Sequence, residues 1–186
     1  MASILDLLGQ QLAGGGLSQM SRQLGTDHAT TTMAVSAALP VLMAALARNA
    51  SSEDGAASLH NALADHDGSI FDDLGGSLIG FQQGAGGGIL DHVLGDNRGA
   101  VEQGLAQRTG LDSAQIASLL AMLAPIVMGA LGKTQRSEGL DPLGMAGKLA
   151  DEHQSIGHFS PDLMSMIGGL LGGIGGGGLG SMLGGS

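Results

Sequence analysis

The strongest candidate for chemistry in this sequence is the acidic stretch Asp65-His66-Asp67-Gly68-Ser69-Ile70. Carboxylates at alternate positions before a glycine are typical of the middle of an EF-hand calcium loop. In that register the first ligand would be Leu63 and the bidentate twelfth ligand would be Leu74, and neither side chain can bind a cation. We therefore interpret the stretch as a polar helix end closed by Gly68, and we predict no calcium site there.

The six histidines offer no better metal or acid–base site, because no HExxH pattern and no i, i+4 pair occurs among them. No serine lies in a GxSxG or SxxK context, and the run Gly84–Gly88 lacks a phosphate-loop pattern and follows no predicted strand. We expect surface histidines, no catalytic, cofactor-binding or metal-ligating residue, no bound cofactor, and a protein that is not an enzyme. The histidines are His28, His60, His66, His92, His153 and His158.

Composition argues against further classes of function. The chain carries 17 acidic and 7 basic residues, a net charge of −10, whereas nucleic acid and anionic lipid both attract clustered Lys and Arg. Cysteine, Trp and Tyr are absent, so disulfides and Cys-ligated zinc are excluded and the usual aromatic anchors of an interface are scarce. The first residues lack the basic region of a secretory signal. We expect a cytoplasmic protein, with association with the cell envelope as the alternative.

The chain is organised as two copies of one unit of about 85 residues. When the sequence is shifted against itself by that distance, the residues that set helix ends keep the same register. The matched pairs include Gly14/Gly99, Gly25/Gly110, Asp27/Asp112 and Pro40/Pro125. We predict helical repeats at residues 1–74 and 89–160, a glycine-rich linker at 75–88, and a glycine-rich apolar tail at 161–186.

Each unit is expected to be a set of helices with defined ends. In the second unit, Gly110 can take the left-handed conformation that ends a helix, and Asp112 with Gln115 predicts a capping box for the next one. That next helix shows a clean 3.6-residue apolar period from Ile116 to Leu131. No segment alternates with period two, so strands are not predicted. The expected fold class is all-α, a multihelical bundle.

The corresponding run of the first unit, Met33 to Leu46, is apolar nearly all round, and we place both runs in the bundle core. Pro40 and Pro125 each remove a backbone donor and are expected to kink these helices or to restart them. Both runs fall short of the roughly 20 residues that a bilayer requires, so we interpret them as core. A further helix is predicted in each unit, from Ser51 or Ser52 to about Asp65 and from Pro142 to about His153.

The two helix–turn–helix corners at Gly25 and Gly110 raise DNA binding as an alternative. A recognition helix would have to present basic side chains to the major groove, but the second helix of each corner is apolar and lacks Arg or Lys before its last turn. We therefore disfavour DNA as a partner.

The tail carries no charged side chain after Asp162. From Leu163 to Gly185, 11 of 23 residues are glycine and 10 are Leu, Ile or Met. Each glycine costs a helix about 1 kcal/mol relative to alanine, so an isolated helix is not expected beyond about Ile167. Three alternatives remain: a disordered tail, self-association through small-residue contacts such as Gly168 with Gly172, and a segment that inserts into a membrane.

The pattern Gln23-Leu24-Gly25-Thr26-Asp27-His28-Ala29, with Ala38-Leu39-Pro40-Val41-Leu42 and the stretch from Leu59 to Gly68, resembles the YidB-like family of uncharacterised bacterial proteins. The resemblance covers roughly residues 1–160. It implies a multihelical bundle of bacterial origin and transfers no catalytic residue. Some relatives are joined to peptidoglycan-binding domains, which implies a cell-envelope context.

The function predicted from the sequence is a non-enzymatic structural or protein-interaction module that self-associates or docks a protein partner. The alternative is a protein attached to the envelope or a membrane through its tail.

Overall fold

The computed structural model describes residues 3–66, 69–72 and 85–159, together with positions 162, 165 and 167–169. Within these ranges the chain is helical and forms no strand, which confirms the all-α fold class. The helices are α1 (Ile4–Gln11), α2 (Leu17–Leu24), α3 (His28–Asn49), α4 (Glu53–Ala64), α5 (Ala85–Leu94), α6 (Arg98–Thr109), α7 (Ser113–Glu138) and α8 (Pro142–Phe159). A wide π-helical turn, Leu12–Gly16, joins α1 to α2, and short 3-10 turns lie at Ser69–Phe71 and Gly95–Asn97.

The helix ends follow the predicted residues. Gly25 and Gly110 end α2 and α6 in the left-handed conformation, with φ of 65° and 76°. Asp27 caps the first turn of α3. Asp112 accepts the N–H of Gln115 at 2.7 Å, and the reciprocal bond completes the predicted capping box of α7. Ser52, one of the two predicted starts, caps α4, and Asp141 caps α8 just before Pro142.

Several predicted boundaries are wrong. Helices α3 and α7 span 22 and 26 residues, so the argument that the apolar runs are too short for a bilayer fails. Helix α8 continues to Phe159 instead of ending near His153. Residues 85–88, the end of the predicted linker, are helical, because the burial of Leu90 in the same helix offsets the cost of its glycines. Residues 75–84 lie outside the described residues.

Helices α3 and α7 form the centre of the bundle, and each continues through its proline. The residues from Ala37 to Leu46 and from Leu119 to Gly132 are buried. One hydrophobic core includes side chains from both predicted units, among them Leu63 and Leu90. Ile167, which lies in the predicted tail, is 4% exposed and belongs to the same core.

The two sets of four helices are interlocked. Helix α3 contacts α7, and α4 contacts α8. Helices α1, α2 and α4 all contact α7, whereas α5, α6 and α8 all contact α3. Each central helix is therefore covered by helices of the other half as well as by helices of its own half, since α5 and α6 contact α7 and α2 contacts α3.

Helices α3 and α7 are each long and apolar enough to cross a membrane by length and composition. In their most apolar 18-residue windows, 72% of the α3 residues and 78% of the α7 residues are buried inside the protein. Core helices of soluble proteins pass the same test. Other helices of the bundle cover α3 and α7, and this supports the interpretation of both as core helices.

Candidate functional site

The pattern Gln23–Ala29 forms the corner between α2 and α3. Ser21 donates a hydrogen bond from Oγ to the carbonyl oxygen of Thr26 at 2.6 Å. Thr30 donates from Oγ1 and from its backbone N–H to the carboxylate of Asp27, at 2.6 and 2.9 Å. These hydrogen bonds lower the pKa of Asp27 below its ordinary value. The corner therefore fixes the path of the chain into the core helix, which is a structural role.

The acidic stretch that begins at Asp65 lies where α4 ends against α7. Arg136 donates from Nη2 to the carbonyl oxygen of Ala64 at 2.9 Å. Gly132 lies so close to the same segment that a Cβ there would overlap the carbonyl oxygen of His66. The described part of the stretch thus holds α4 on α7. Asp67 and Gly68 lie outside the described residues.

The histidines whose surroundings the structure describes are dispersed. His28, at the start of α3, and His92, on α5, are exposed. The other three, His60, His66 and His153, are half-buried. Across the described residues, no three side chains of His, Asp or Glu come together in a group able to hold a metal ion. The expectation that the chain binds no metal stays a prediction.

A polar cleft of about 350 Å³ lies where the ends of α3 and α5 meet. Asn49 donates from Nδ2 to the carbonyl oxygens of Val93 and His92, at 2.9 and 3.4 Å. The last carbonyls of a helix lack partners within that helix, so Asn49 satisfies groups that α5 leaves open. Asp96 and Asn97 also line this cleft. Asn49 therefore joins the end of α3 to the end of α5, which is a structural role.

A second cleft, of about 310 Å³ and more apolar, lies between α3 and the end of α6. We call it the α3–α6 groove. Met33 is 60% exposed on its α3 side, so the prediction that Met33 belongs to the core is wrong. Thr31, Ala34 and Val35 in the same turns are buried, so Met33 lies on a face of α3 that other helices leave uncovered. The groove is lined by Thr32, Met33, Ser36, Ala37, Arg108 and Thr109.

The comparisons with known proteins identify the chain at the level of a family. A family model described as "Bacterial protein of unknown function (DUF937)" matches residues 6–134, more than half of the chain. The chain belongs to this family. The match confirms the resemblance seen in the sequence and runs from α1 into the end of α7. A search of curated proteins and a search of solved structures each found no match.

Arg98 is an anchor that the sequence reasoning missed. At the start of α6, its Nη1 lies 2.6 Å from Oδ1 of Asp91 in α5, and its Nε lies 2.8 Å from Oε1 of Glu102. Hydrogen bonds to Glu102 and Asp91 raise the pKa of Arg98 above its usual value. The i, i+4 spacing of Arg98 and Glu102 could have indicated their ion pair from the sequence. The ion pair with Asp91 crosses a turn, and no sequence pattern indicates it.

Glu152 is the second missed anchor. This residue of α8 is 7% exposed, and its Oε1 accepts the backbone N–H of Ile4 at 2.9 Å. The first N–H groups of a helix have no partner within it, and a carboxylate is favourable at that end of the helix dipole. Glu152 therefore holds the start of α1 from the other end of the chain. A separation of 148 residues leaves no local signal in the sequence.

Proposed function

We propose that this member of the DUF937 family is a non-enzymatic helical scaffold that self-associates through the α3–α6 groove. The observation that carries the proposal is the exposure of Met33, 60%, on a helix whose later residues are buried. An exposed methionine is flexible and polarizable, and at a concave surface such a side chain favours contact with another protein. A second copy presents the same groove and the same methionine, so a two-fold contact would bury both.

The internal architecture supports a scaffold. We propose that residues 1–74 and 85–160 are repeats of one unit, with 75–84 joining them and a tail after residue 160. Cap residues hold one register in both halves, and α1, α2 and α4 contact α7 as α5, α6 and α8 contact α3. Two interlocked units share one core, and such a body can present its outer helix faces to protein partners.

The roles of the polar residues support a protein without catalytic activity. The side chains with the clearest polar contacts have structural partners. They bond to helix ends or to neighbouring helices, as Asn49, Arg98 and Glu152 do. Proteins themselves are the proposed partners, and nucleic acid is not, because the net charge is −10. We also propose a cytoplasmic location for the protein.

Replacing Met33 with glutamate tests the proposed contact. A charge at the centre of an apolar contact must be desolvated, so we expect the dimer association constant to fall by at least about tenfold. Sedimentation equilibrium of the full chain measures it. Leu143, which is 70% exposed at the start of α8, provides the matched control, and Leu143→Glu is expected to leave association unchanged. A monomeric wild type, or equal effects of the two substitutions, would contradict the proposal.

Attachment to a membrane through the glycine-rich tail is the second candidate function. Flotation with liposomes compares the full chain with a chain that ends at Gly169, which keeps the buried side chain of Ile167. If the tail inserts, the full chain floats and the shortened chain stays at the bottom of the gradient. We expect both to stay at the bottom, because 11 glycines among 23 residues weaken the apolar character of the tail.

A further inference from the structure

We infer that α1 is an exchangeable arm, hinged at Gly15, that packs on α7 and bonds to Glu152 of α8 in its own chain or in the same place on a second copy. The arm comprises residues 3–12. This inference rests on the proposed self-association and names the segment that would pass between the two copies.

The hinge is a single residue in an otherwise helical segment. From Ile4 to Leu24 the backbone is helical except at Gly15, which has φ of 124° and ψ of −15°. That conformation is accessible to glycine and strained for any other residue. A rotation of Gly15 into the helical region would join α1 and α2 into one straight helix. Such a helix, from residue 4 to residue 24, would be about 31 Å long.

The part of the chain that follows the hinge is fixed. Met20 and Leu24 of α2 are buried, and α2 contacts both α3 and α7. Straightening at Gly15 would therefore leave α2 in place and move α1 away from the bundle.

The arm covers apolar surface that cannot stay exposed. Ile4 and Leu8 are fully buried and Leu12 is 2% exposed, and α1 packs on α7. Removing the arm would expose these side chains and their site and would break the bond from Ile4 to Glu152. A second copy offers an identical site, so reciprocal exchange restores every one of these contacts.

The corresponding corner of the second half shows what a fixed connection looks like. There Arg98 ties α6 to α5 through Asp91 at 2.6 Å, and Asn49 holds the end of α5. With the shift of 85 positions, Ala13 stands where Arg98 does and Leu17 stands where Glu102 does. Neither residue can form an ion pair, so the α1–α2 corner lacks the side chains that brace α5.

Two glycine substitutions isolate the hinge. An added methyl group at Gly14 or at Gly15 meets no atom within 4 Å, and of the two only Gly15 has a positive φ. Gly15→Ala therefore strains the closed arm without a steric clash, and Gly14→Ala is its matched control. We expect Gly15→Ala to raise the dimer association constant at least about tenfold, and Gly14→Ala to change it by less than about threefold. Sedimentation equilibrium of the full chains measures both.

Cross-linking shows whether the arm itself is exchanged. The chain has no cysteine, so Ser3→Cys and His153→Cys introduce a pair of thiols, one beside each partner of the bond from Ile4 to Glu152. A bismaleimide should link the two cysteines within one chain when the hinge carries Gly14→Ala. With Gly15→Ala we expect covalent dimers on a denaturing gel. A link that stays within one chain in the Gly15→Ala protein overturns the inference, as does a folded monomer whose arm is not linked at all.

The native hinge provides a test that does not depend on the folding of Gly15→Ala. A chain with only Ser3→Cys is incubated at high concentration with a chain that has only His153→Cys, and the bismaleimide is then added. Covalent dimers of the two different chains support exchange, and their absence overturns it. If Met33→Glu disrupts the dimer and no link between chains ever forms, the proposed function is supported and the exchange of the arm is overturned. Links that persist with Met33→Glu support the arm and count against the groove.

Discussion

Replacing Gly132 with alanine is expected to destabilise the protein by about 3 kcal/mol, because the interior has no room for one more methyl group. A Cβ at this position would overlap the carbonyl oxygen of His66 and would lie 2.9 Å from that of Leu63. Both are backbone atoms, so no side-chain rotation can relieve the contact. The end of α4 would have to move away from α7. Urea denaturation followed by circular dichroism measures the loss.

The expected loss is large because other bonds hold the same two segments together. Gln135 donates from Nε2 to the carbonyl oxygen of His60 at 3.4 Å, and Arg136 donates to that of Ala64 at 2.9 Å. A shift of α4 that admits the methyl group would stretch both bonds.

Gly147 is the matched control for this substitution. It lies exposed in α8, and an added Cβ meets no atom within 4 Å. Gly147→Ala should therefore stabilise the protein by up to about 1 kcal/mol, the difference in helix propensity between the two residues. A Gly132→Ala protein as stable as the wild type would show that α4 and α7 are not packed as closely as described.

The helix ends could be predicted from the sequence because capping is local. Gly25 and Gly110 end helices through their own φ angles, and Asp112 reaches an N–H group only three residues away. Each interaction lies within a window that a single reading of the sequence can cover. The all-α fold class follows from the same kind of evidence, since the 3.6-residue period is a local pattern.

The remaining contacts depend on residues far apart in the chain. Glu152 and Ile4 are separated by 148 positions, and the fit of Gly132 depends on the approach of His66 from another helix. Helix α5 begins in a glycine-rich segment because Leu90 is buried in the core. In each case the contact depends on tertiary packing, which the sequence around the residue does not indicate.

The candidate site was harder to predict than the fold. The sequence places Met33 in an apolar run that continues to Leu46, and an apolar run of this kind does not show which of its residues other helices will cover. The structure leaves Met33 exposed and buries the residues from Ala37 onward. The groove exists because α6 ends beside these first turns, with Arg108 and Thr109 on its other side.

Replacing Leu120 with alanine is expected to cost about 3 kcal/mol and to lower the stability of both halves of the chain together. Leu120 is fully buried in α7, and α7 contacts α1, α2, α3 and α4 as well as α5 and α6. A cavity there weakens a core that both halves share. We expect a single unfolding transition in urea that moves to lower concentration with an unchanged slope.

The control for this substitution is Leu143→Ala, which removes the same atoms from a side chain that is 70% exposed. Its effect should stay within about 0.5 kcal/mol. Two separate transitions, with only the second displaced by Leu120→Ala, would mean that the halves unfold independently and that the interlocked core is wrong. A single transition would instead show that one cooperative body carries the groove and the N-terminal arm. The groove lies on α3 and the arm packs on α7, and these two helices contact each other within that body.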